Sequence, residues 1–117
     1  MIQELKKNYQ VKFKQLCKEF LSVHKGQTFL KKHTRLVDGL LLNLLKSLSI
    51  ESHISLVAVG GYGREELYPY SDIDILILIP ENLSQIDQEK ITAFVTACWD
   101  LGLKIGHSVR TIKENRM

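Results

Sequence analysis

Apolar residues recur every three or four positions over the first part of the chain, which is the spacing of one face of an α-helix. A first set predicts a helix through about residue 22: Ile2, Leu5, Tyr9, Phe13, Leu16, Phe20 and Leu21. Gly26 and Gln27 are expected to end this helix, and Thr28 to cap a second one. The second helix has an apolar face wide enough to pack against more than one neighbour: Phe29, Leu36, Val37, Leu40, Leu41, Leu44, Leu45 and Leu48.

The pattern then changes to short runs rich in β-branched residues, which are typical of strands. Ile54–Val59 predicts a first strand that ends at glycine, and 72–79 a second strand that Pro80 stops. Side chains along the second strand alternate between two faces, with Asp72, Asp74, Leu76 and Leu78 on one and Ile73, Ile75, Ile77 and Ile79 on the other. We expect the strand to be buried on both faces except at the aspartates, which places the acidic pair at the lip of a sheet.

A third helix is predicted from the segment Leu83-Ser84-Gln85-Ile86-Asp87, which has the form of a capping box. Its apolar positions are Ala93, Phe94, Ala97, Cys98 and Leu101, and Gly102 ends it. Residues 103–111 then predict a third strand. The fold class is therefore α/β (α+β), a small mixed sheet with packing helices over residues 51–117, preceded by a helical arm over residues 1–50.

Length and charge limit the number of domains and the kinds of partner that this chain can have. A chain of 117 residues forms one domain at most, with room for a real core. Residues 1–35 hold nine Lys or Arg against two acidic residues, Glu4 and Glu19. The basic residues fall on the polar face of a helix without interleaved aromatic residues, which favours a solvated surface over a nucleic-acid site, with docking of an acidic partner domain as the second reading.

The two cysteines and the apolar runs indicate the compartment. Cys17 and Cys98 match no metal-ligand or disulfide spacing, and both occupy apolar helix positions, so we expect two reduced, buried thiols in a reducing cytoplasm. The apolar stretch near Leu40–Leu45 is far too short to span a membrane, so no membrane association is expected.

The chemistry concentrates between the first two strands. Gly60 and Gly61 allow backbone N–H groups to approach a phosphate, because no Cβ stands in the way. Asp72 and Asp74 share one strand face, and two carboxylates so placed suit a hard cation such as Mg²⁺. A dinucleotide fingerprint would need glycine where Glu66 stands, and no Walker A loop is present. A bare Asp-x-Asp, however, also occurs in glycosyltransferases and at strand entrances.

The string G-G-Y-G-R-E-E-L-Y-P-Y-S-D-I-D-I-L-I-L over residues 60–78 resembles the nucleotidyltransferase superfamily, and within it the bacterial PII uridylyltransferase family. A second stretch, residues 99–111, is similar to the segment that follows that family's core helix. The resemblance implies transfer of UMP from UTP to a tyrosine hydroxyl of the PII signalling protein, with release of pyrophosphate. Glutamine would regulate the reaction through domains outside this chain, since members of the family are several times longer and the chain is expected to be an N-terminal piece.

The same resemblance implies roles for individual residues. Asp72 and Asp74 would be the catalytic metal ligands, for Mg²⁺ or Mn²⁺. Four residues would bind the nucleotide: Gly60, Gly61, Arg64 and Ser71. For Arg64 a salt bridge to Glu65 or Glu66 is an equal alternative, and Ser71 could simply cap the turn.

Other residues near the motif are weaker candidates. The tyrosines Tyr62, Tyr68 and Tyr70 could stack on a base, although packing of the turn is favoured. His107 and Arg110, in the second similar stretch, are possible site residues.

One departure from the family concerns the third carboxylate that nucleotidyltransferases take from a later strand. Residues 103–111 contain no acid, Glu114 follows them, and Asp100 is a weak substitute near a helix end. We therefore expect the chain alone to bind nucleotide but to turn over poorly. No His-Asp dipeptide is present, so the family's uridylyl-removing activity is not expected here. The alternatives are an adenylyltransferase acting on another acceptor, and a non-catalytic module that binds nucleotide or docks a partner.

Overall fold

The computed structural model describes residues 2–23, 26–50 and 54–111, which form four helices and three strands. In chain order the elements are α1 Ile2–Val23, α2 Gly26–Ser47, β1 Ser55–Ala58, α3 Gly60–Gly63, β2 Ile73–Ile79, α4 Gln85–Asp100 and β3 Ile105–Thr111. None of the helices in these ranges is long and apolar enough to cross a membrane.

The boundaries of the long helices follow the sequence pattern with one correction. Helix α2 begins at Gly26, so Thr28 lies inside its first turn and is not the cap that was predicted. The start of α4 is confirmed, since the Asp87 N–H donates to Ser84 Oγ over 3.1 Å. Its end is confirmed too, because Gly102 follows with φ +83°, a conformation that residues with a Cβ rarely adopt.

The three strands form one mixed sheet in the order β1-β2-β3. Strand β1 pairs antiparallel with β2, with Ala58 opposite Ile75. Strand β3 pairs parallel with β2, with Ile73 opposite Ile105. The predicted mixed α/β fold is thereby confirmed, and the strand that carries the acidic motif is the central one.

The core covers one face of β2. Ile73, Ile75 and Ile77 are almost fully buried in a cluster to which α2 and α4 both contribute: Val37, Leu40, Leu41, Leu44, Phe94, Val95, Ala97 and Cys98. Leu76 and Leu78, on the opposite face, are only half-buried. The expectation that β2 is buried on both faces was therefore wrong, because α2 and α4 both pack against the face that bears the isoleucines.

The two thiols differ in environment. Cys98 is fully buried, and burial raises its pKa to about 12. Cys17 is half-buried, which corrects the expectation of two buried thiols. Both are free cysteines, as predicted.

A hydrogen-bonded cluster joins α1 and α2 to the loop that precedes β2. His33, 3% exposed, has its Nδ1 2.8 Å from the Leu67 carbonyl oxygen, and its Nε2 lies 3.1 Å from the Tyr9 hydroxyl. A carbonyl can only accept, so Nδ1 carries the proton, and in the neutral ring Nε2 accepts from Tyr9. The rings of Phe13 and Phe29 flank the imidazole at 4.9 and 5.6 Å.

This cluster predicts that the chain loses stability in mild acid. Burial lowers the pKa of His33 below its usual 6.5, against the opposing effect of the Leu67 hydrogen bond. The unfolded chain therefore binds this proton at higher pH than the folded chain. The free energy of unfolding should be retained above about pH 6.5 and fall as the pH drops toward the folded-state pKa.

Urea unfolding at a series of pH values, on the natural chain and on His33→Asn, would measure this effect. The variant should show a shallower decline over the same interval because it lacks the titrating ring. Identical declines in the two proteins would contradict the assignment to His33.

Candidate active site

The glycine turn after β1 folds into a single helical turn, α3, which the sequence pattern did not predict. Gly60 opens it with φ +60°, a conformation for which glycine is best suited. The turn is closed by the Glu66 N–H, which donates to the Gly61 carbonyl over 2.8 Å. Within the described part of the chain, no backbone hydrogen bond uses the N–H groups of Gly60, Gly61 or Tyr62. These donors are free to bind a polar group.

The Asp74 carboxylate lies in a space that two glycines leave open. A Cβ built on Gly60 would lie 2.9 Å from Asp74 Oδ2, and one built on Gly106 would lie 2.6 Å from Asp74 Oδ1. Carbon and oxygen atoms cannot approach so closely without displacement, so a side chain at either position would push the carboxylate away. The Val59 N–H also donates to the Asp74 carbonyl over 3.0 Å. The glycine turn and both flanking strands therefore meet at this one residue.

Asp72 and Ser71 lie just before β2. Asp72 is exposed, one residue ahead of the strand, and Ser71 is half-buried. The Ile73 N–H donates to the Lys104 carbonyl over 2.7 Å, which ties the start of β2 to the approach of β3. The structure thus brings Gly60 and Asp74 together, with Asp72 two residues from Asp74 at the entry of the strand.

Arg64 follows α3 and is exposed, with its Nε 3.6 Å from Glu66 Oε2. Both side chains are more than half exposed, so this ion pair contributes at most about 1 kcal/mol to stability. A guanidinium held so weakly keeps its capacity to bind phosphate oxygens.

The three tyrosines of the loop divide into two kinds. Tyr62 is 4% exposed, and its hydroxyl donates to Asp38 Oδ1 on α2. Burial, together with that carboxylate, raises the pKa of Tyr62 well above its usual range. Tyr62 therefore packs the turn against α2, whereas Tyr68 and Tyr70 are exposed.

The pairing of β2 with β3 separates the two weaker candidates. His107 is opposite Ile75 and so belongs to the face of the sheet that bears the isoleucines, whereas Asp74 belongs to the other face. Arg110 is opposite Leu78 and shares the face of Asp74, four residues further along β2. At about 3.3 Å per residue this is roughly 13 Å along the strand, so the structure brings neither side chain next to Asp74.

Gly106 is the site residue that sequence reasoning missed. It stands opposite Asp74 in the parallel pair, where its missing Cβ makes room for the carboxylate. A glycine in the middle of a strand pattern is itself a signal of a close approach, and it could have directed attention to this position.

The donor set suits a divalent metal but is small. Carboxylate oxygens are the ligands that Mg²⁺ prefers, and the restricted space around Asp74 holds its carboxylate in place. Across residues 2–23, 26–50 and 54–111 no group of three or more His, Cys, Asp or Glu side chains could hold a metal ion. Asp100 is exposed at the end of α4, and Glu114 lies outside the described residues. Within the described ranges, the residues that could contribute to holding a divalent cation are therefore Asp72 and Asp74, which lie close to the glycine turn.

Residues 40–116 match the family of the nucleotidyltransferase domain, which covers more than half of the chain. The chain belongs to this family. The match includes the glycine turn, Asp72, Asp74 and Gly106, so the residues of the candidate site lie within the matched range.

Comparison with individual proteins shows which nucleotidyltransferases this chain is similar to. The bifunctional uridylyltransferase/uridylyl-removing enzyme of Thiobacillus denitrificans is 49% identical over 84 residues, which are 72% of this chain and 10% of the relative. The enzyme of the same name from Nitrosospira multiformis is 44% identical over 95 residues, 76% of this chain and 11% of the relative. That of Chromobacterium violaceum is 40% identical over 103 residues, 88% of this chain and 12% of the relative. The chain thus spans about a tenth of the length of these relatives. No solved structure matches it.

The geometry around Asp74 predicts a selective effect of Gly106→Ala. The added methyl would lie 2.6 Å from Asp74 Oδ1, so the carboxylate must move, and metal-dependent nucleotide affinity should fall by at least about tenfold. Calorimetric titration with a metal–nucleotide would measure the loss.

Gly39→Ala is the matched control, since nothing lies within 4 Å of a Cβ at that helical position. That variant should keep full affinity and gain up to about 1 kcal/mol of stability, because alanine favours helix more than glycine does. Equal affinities for the two variants would show that the space around Asp74 is not part of the site.

Proposed function

We propose that this chain is the nucleotidyltransferase region of a PII uridylyltransferase. It would transfer UMP from UTP to a tyrosine hydroxyl of the PII nitrogen-regulatory protein and release pyrophosphate. The observation that carries the proposal is the position of the Asp74 carboxylate. It lies against Gly60 of the turn and Gly106 of β3, beside backbone N–H groups of the turn that make no backbone hydrogen bond. The uridylyltransferase relatives support the choice of nucleotide and reaction.

The reaction is a displacement at the α-phosphorus of UTP. A bond forms between the tyrosine oxygen and that phosphorus, and the bond to the bridging oxygen of pyrophosphate breaks. The tyrosine must lose its proton as it attacks, and among the described residues no third carboxylate joins Asp72 and Asp74 in a metal-binding group. We therefore expect this chain to hold nucleotide but to turn over poorly by itself.

The residues of the chain would act mainly by binding and orientation. The N–H groups of Gly60 and Gly61 would donate to phosphate oxygens, and Arg64 would bind the outer phosphates with its planar fork. The Ser71 hydroxyl would donate a hydrogen bond to a phosphate oxygen of the nucleotide. Asp72 and Asp74 would hold Mg²⁺, which when bound supplies the positive charge that phosphoryl chemistry requires.

The control of the reaction and the tyrosine that accepts UMP would both be supplied by residues other than those described here. Glutamine would control the direction of the reaction through other regions of a longer protein. The PII protein would supply its tyrosine from outside the chain. The exposed positions of Asp72 and Tyr70 are consistent with access by a second protein.

Asp74→Asn tests the proposal most directly. The amide keeps the shape of the carboxylate but loses its charge, so binding of UTP in the presence of Mg²⁺ should weaken by about a hundredfold, as expected when a metal ligand is lost, while the fold is kept. Calorimetric titrations with UTP, ATP and GTP, each with Mg²⁺ and with EDTA, would measure it.

Glu81→Gln is the control, because it makes the same chemical change in an exposed turn after β2. Binding that prefers UTP, requires Mg²⁺ and survives in this variant but not in Asp74→Asn is the expected result. A preference for ATP would favour an adenylyltransferase. Unaltered binding in Asp74→Asn would overturn the assignment of the site.

A further inference from the structure

The loop between the glycine turn and the acidic pair, residues 64–72, meets the two N-terminal helices at two points. Near its middle, Leu67 is 1% exposed and its carbonyl accepts the 2.8 Å hydrogen bond from His33 Nδ1. Near its end, the ring of Tyr70 meets that of Phe13 edge-on, with centroids 5.9 Å apart. The chain that leads into Asp72 is therefore in contact with α1 and α2 on its way to β2.

The backbone of this loop needs such support. Glu65 and Tyr70 have φ of +57° and +64°, in the left-handed region that residues with a Cβ rarely occupy. Such conformations persist when the surrounding structure imposes them. Glu65 is constrained by the turn that closes α3, through the bond from its N–H to the Tyr62 carbonyl. Tyr70, two residues before Asp72, has its ring contact with Phe13.

Side-chain packing by itself does not fill the space between the helices and the end of the loop. A cavity of about 300 Å³ lies there, lined in part by Tyr9, Phe13, His33, Tyr70, Ser71 and Lys104. Because this space is not filled, side-chain packing restrains the end of the loop less than a close-packed core would. A directional hydrogen bond from a buried donor restrains it more closely.

His33 is well placed to provide this restraint because its helix is anchored in the core. One turn further along α2, Val37 is fully buried, and Leu40, Leu41 and Leu44 follow it in the cluster that contains the isoleucine face of β2. The position of His33 is therefore set by the same core that sets Asp74. Tyr9 completes the arrangement by donating to Nε2, which keeps the proton of the neutral ring on Nδ1.

We propose that His33 is a positioning residue for the candidate site. Its Nδ1–H bond to the Leu67 carbonyl sets the path of residues 64–72, and thereby the placement of Asp72 beside Asp74. Tyr9 keeps His33 in the tautomer that donates this bond. The two N-terminal helices would then help to form the candidate site. Of the measurements that test this proposal, only nucleotide binding rests on the function proposed above.

Two substitutions separate the hydrogen bond from packing. His33→Asn keeps an N–H donor at nearly the position of Nδ1 but loses most of the ring. His33→Leu keeps more apolar volume but has no donor, which leaves a buried carbonyl without a partner. Thr34→Val is the matched control, since Thr34 is the next buried residue of α2 and its hydroxyl has no hydrogen-bond partner in the described part of the chain.

Amide hydrogen exchange across residues 64–72 and calorimetric affinity for UTP with Mg²⁺ are the two measurements. In His33→Leu, exchange in the loop should be about tenfold faster and affinity about tenfold weaker, as expected for loss of one buried hydrogen bond. His33→Asn should remain within about threefold of the natural chain on both measures, and Thr34→Val should be unchanged.

Equal effects of His33→Asn and His33→Leu would reduce His33 to a packing residue and overturn the proposal. Unchanged loop exchange in a folded His33→Leu would overturn it as well. If the natural chain binds no UTP, the proposed function fails, and the exchange measurements alone decide the role of His33. If His33→Leu does not fold, Tyr9→Phe decides, since it removes only the hydroxyl. Faster exchange confined to residues 64–72 would then support the proposal, and unchanged exchange would refute it.

Discussion

The alternation of side chains along β2 is the constraint on which the sheet and the site both depend. Because α2 and α4 cover the face that bears Ile73, Ile75 and Ile77, Asp74 must emerge on the opposite face. A register shift of one residue would exchange these faces and bury the carboxylate among apolar side chains. The cost of that exchange makes the hydrophobic core responsible for the orientation of the site.

The close approach of two glycines to Asp74 is a second constraint on the position of its carboxylate. The Asp74 carboxylate fits between the turn after β1 and the start of β3 only because Gly60 and Gly106 have no Cβ. The Val59 N–H fixes the Asp74 backbone from the side of β1. Three segments that are distant in sequence therefore converge on one carboxylate, within the part of the chain that matches the nucleotidyltransferase family.

The N-terminal helical arm packs against both the core and the loop that leads into β2. The second half of α2 lies in the same core as β2, and its first half carries His33 to the Leu67 carbonyl. Asp38, also on α2, accepts a hydrogen bond from the hydroxyl of Tyr62, which belongs to the glycine turn. Helix α2 thus contacts both the turn and the loop between which the candidate site lies.

The sequence by itself determined the order and type of the long elements, the cap at Ser84, and the presence of a glycine turn between the first strand and the strand that carries Asp74. These features depend on local periodicity and turn chemistry, which residues close in the chain decide. Only the tertiary structure decided that His107 lies on the opposite face from Asp74, that Gly106 makes room for the carboxylate, and that Leu76 stays half-exposed. Strand register and the placement of helices on one face of a sheet arise from contacts between distant residues, so no local pattern contains them.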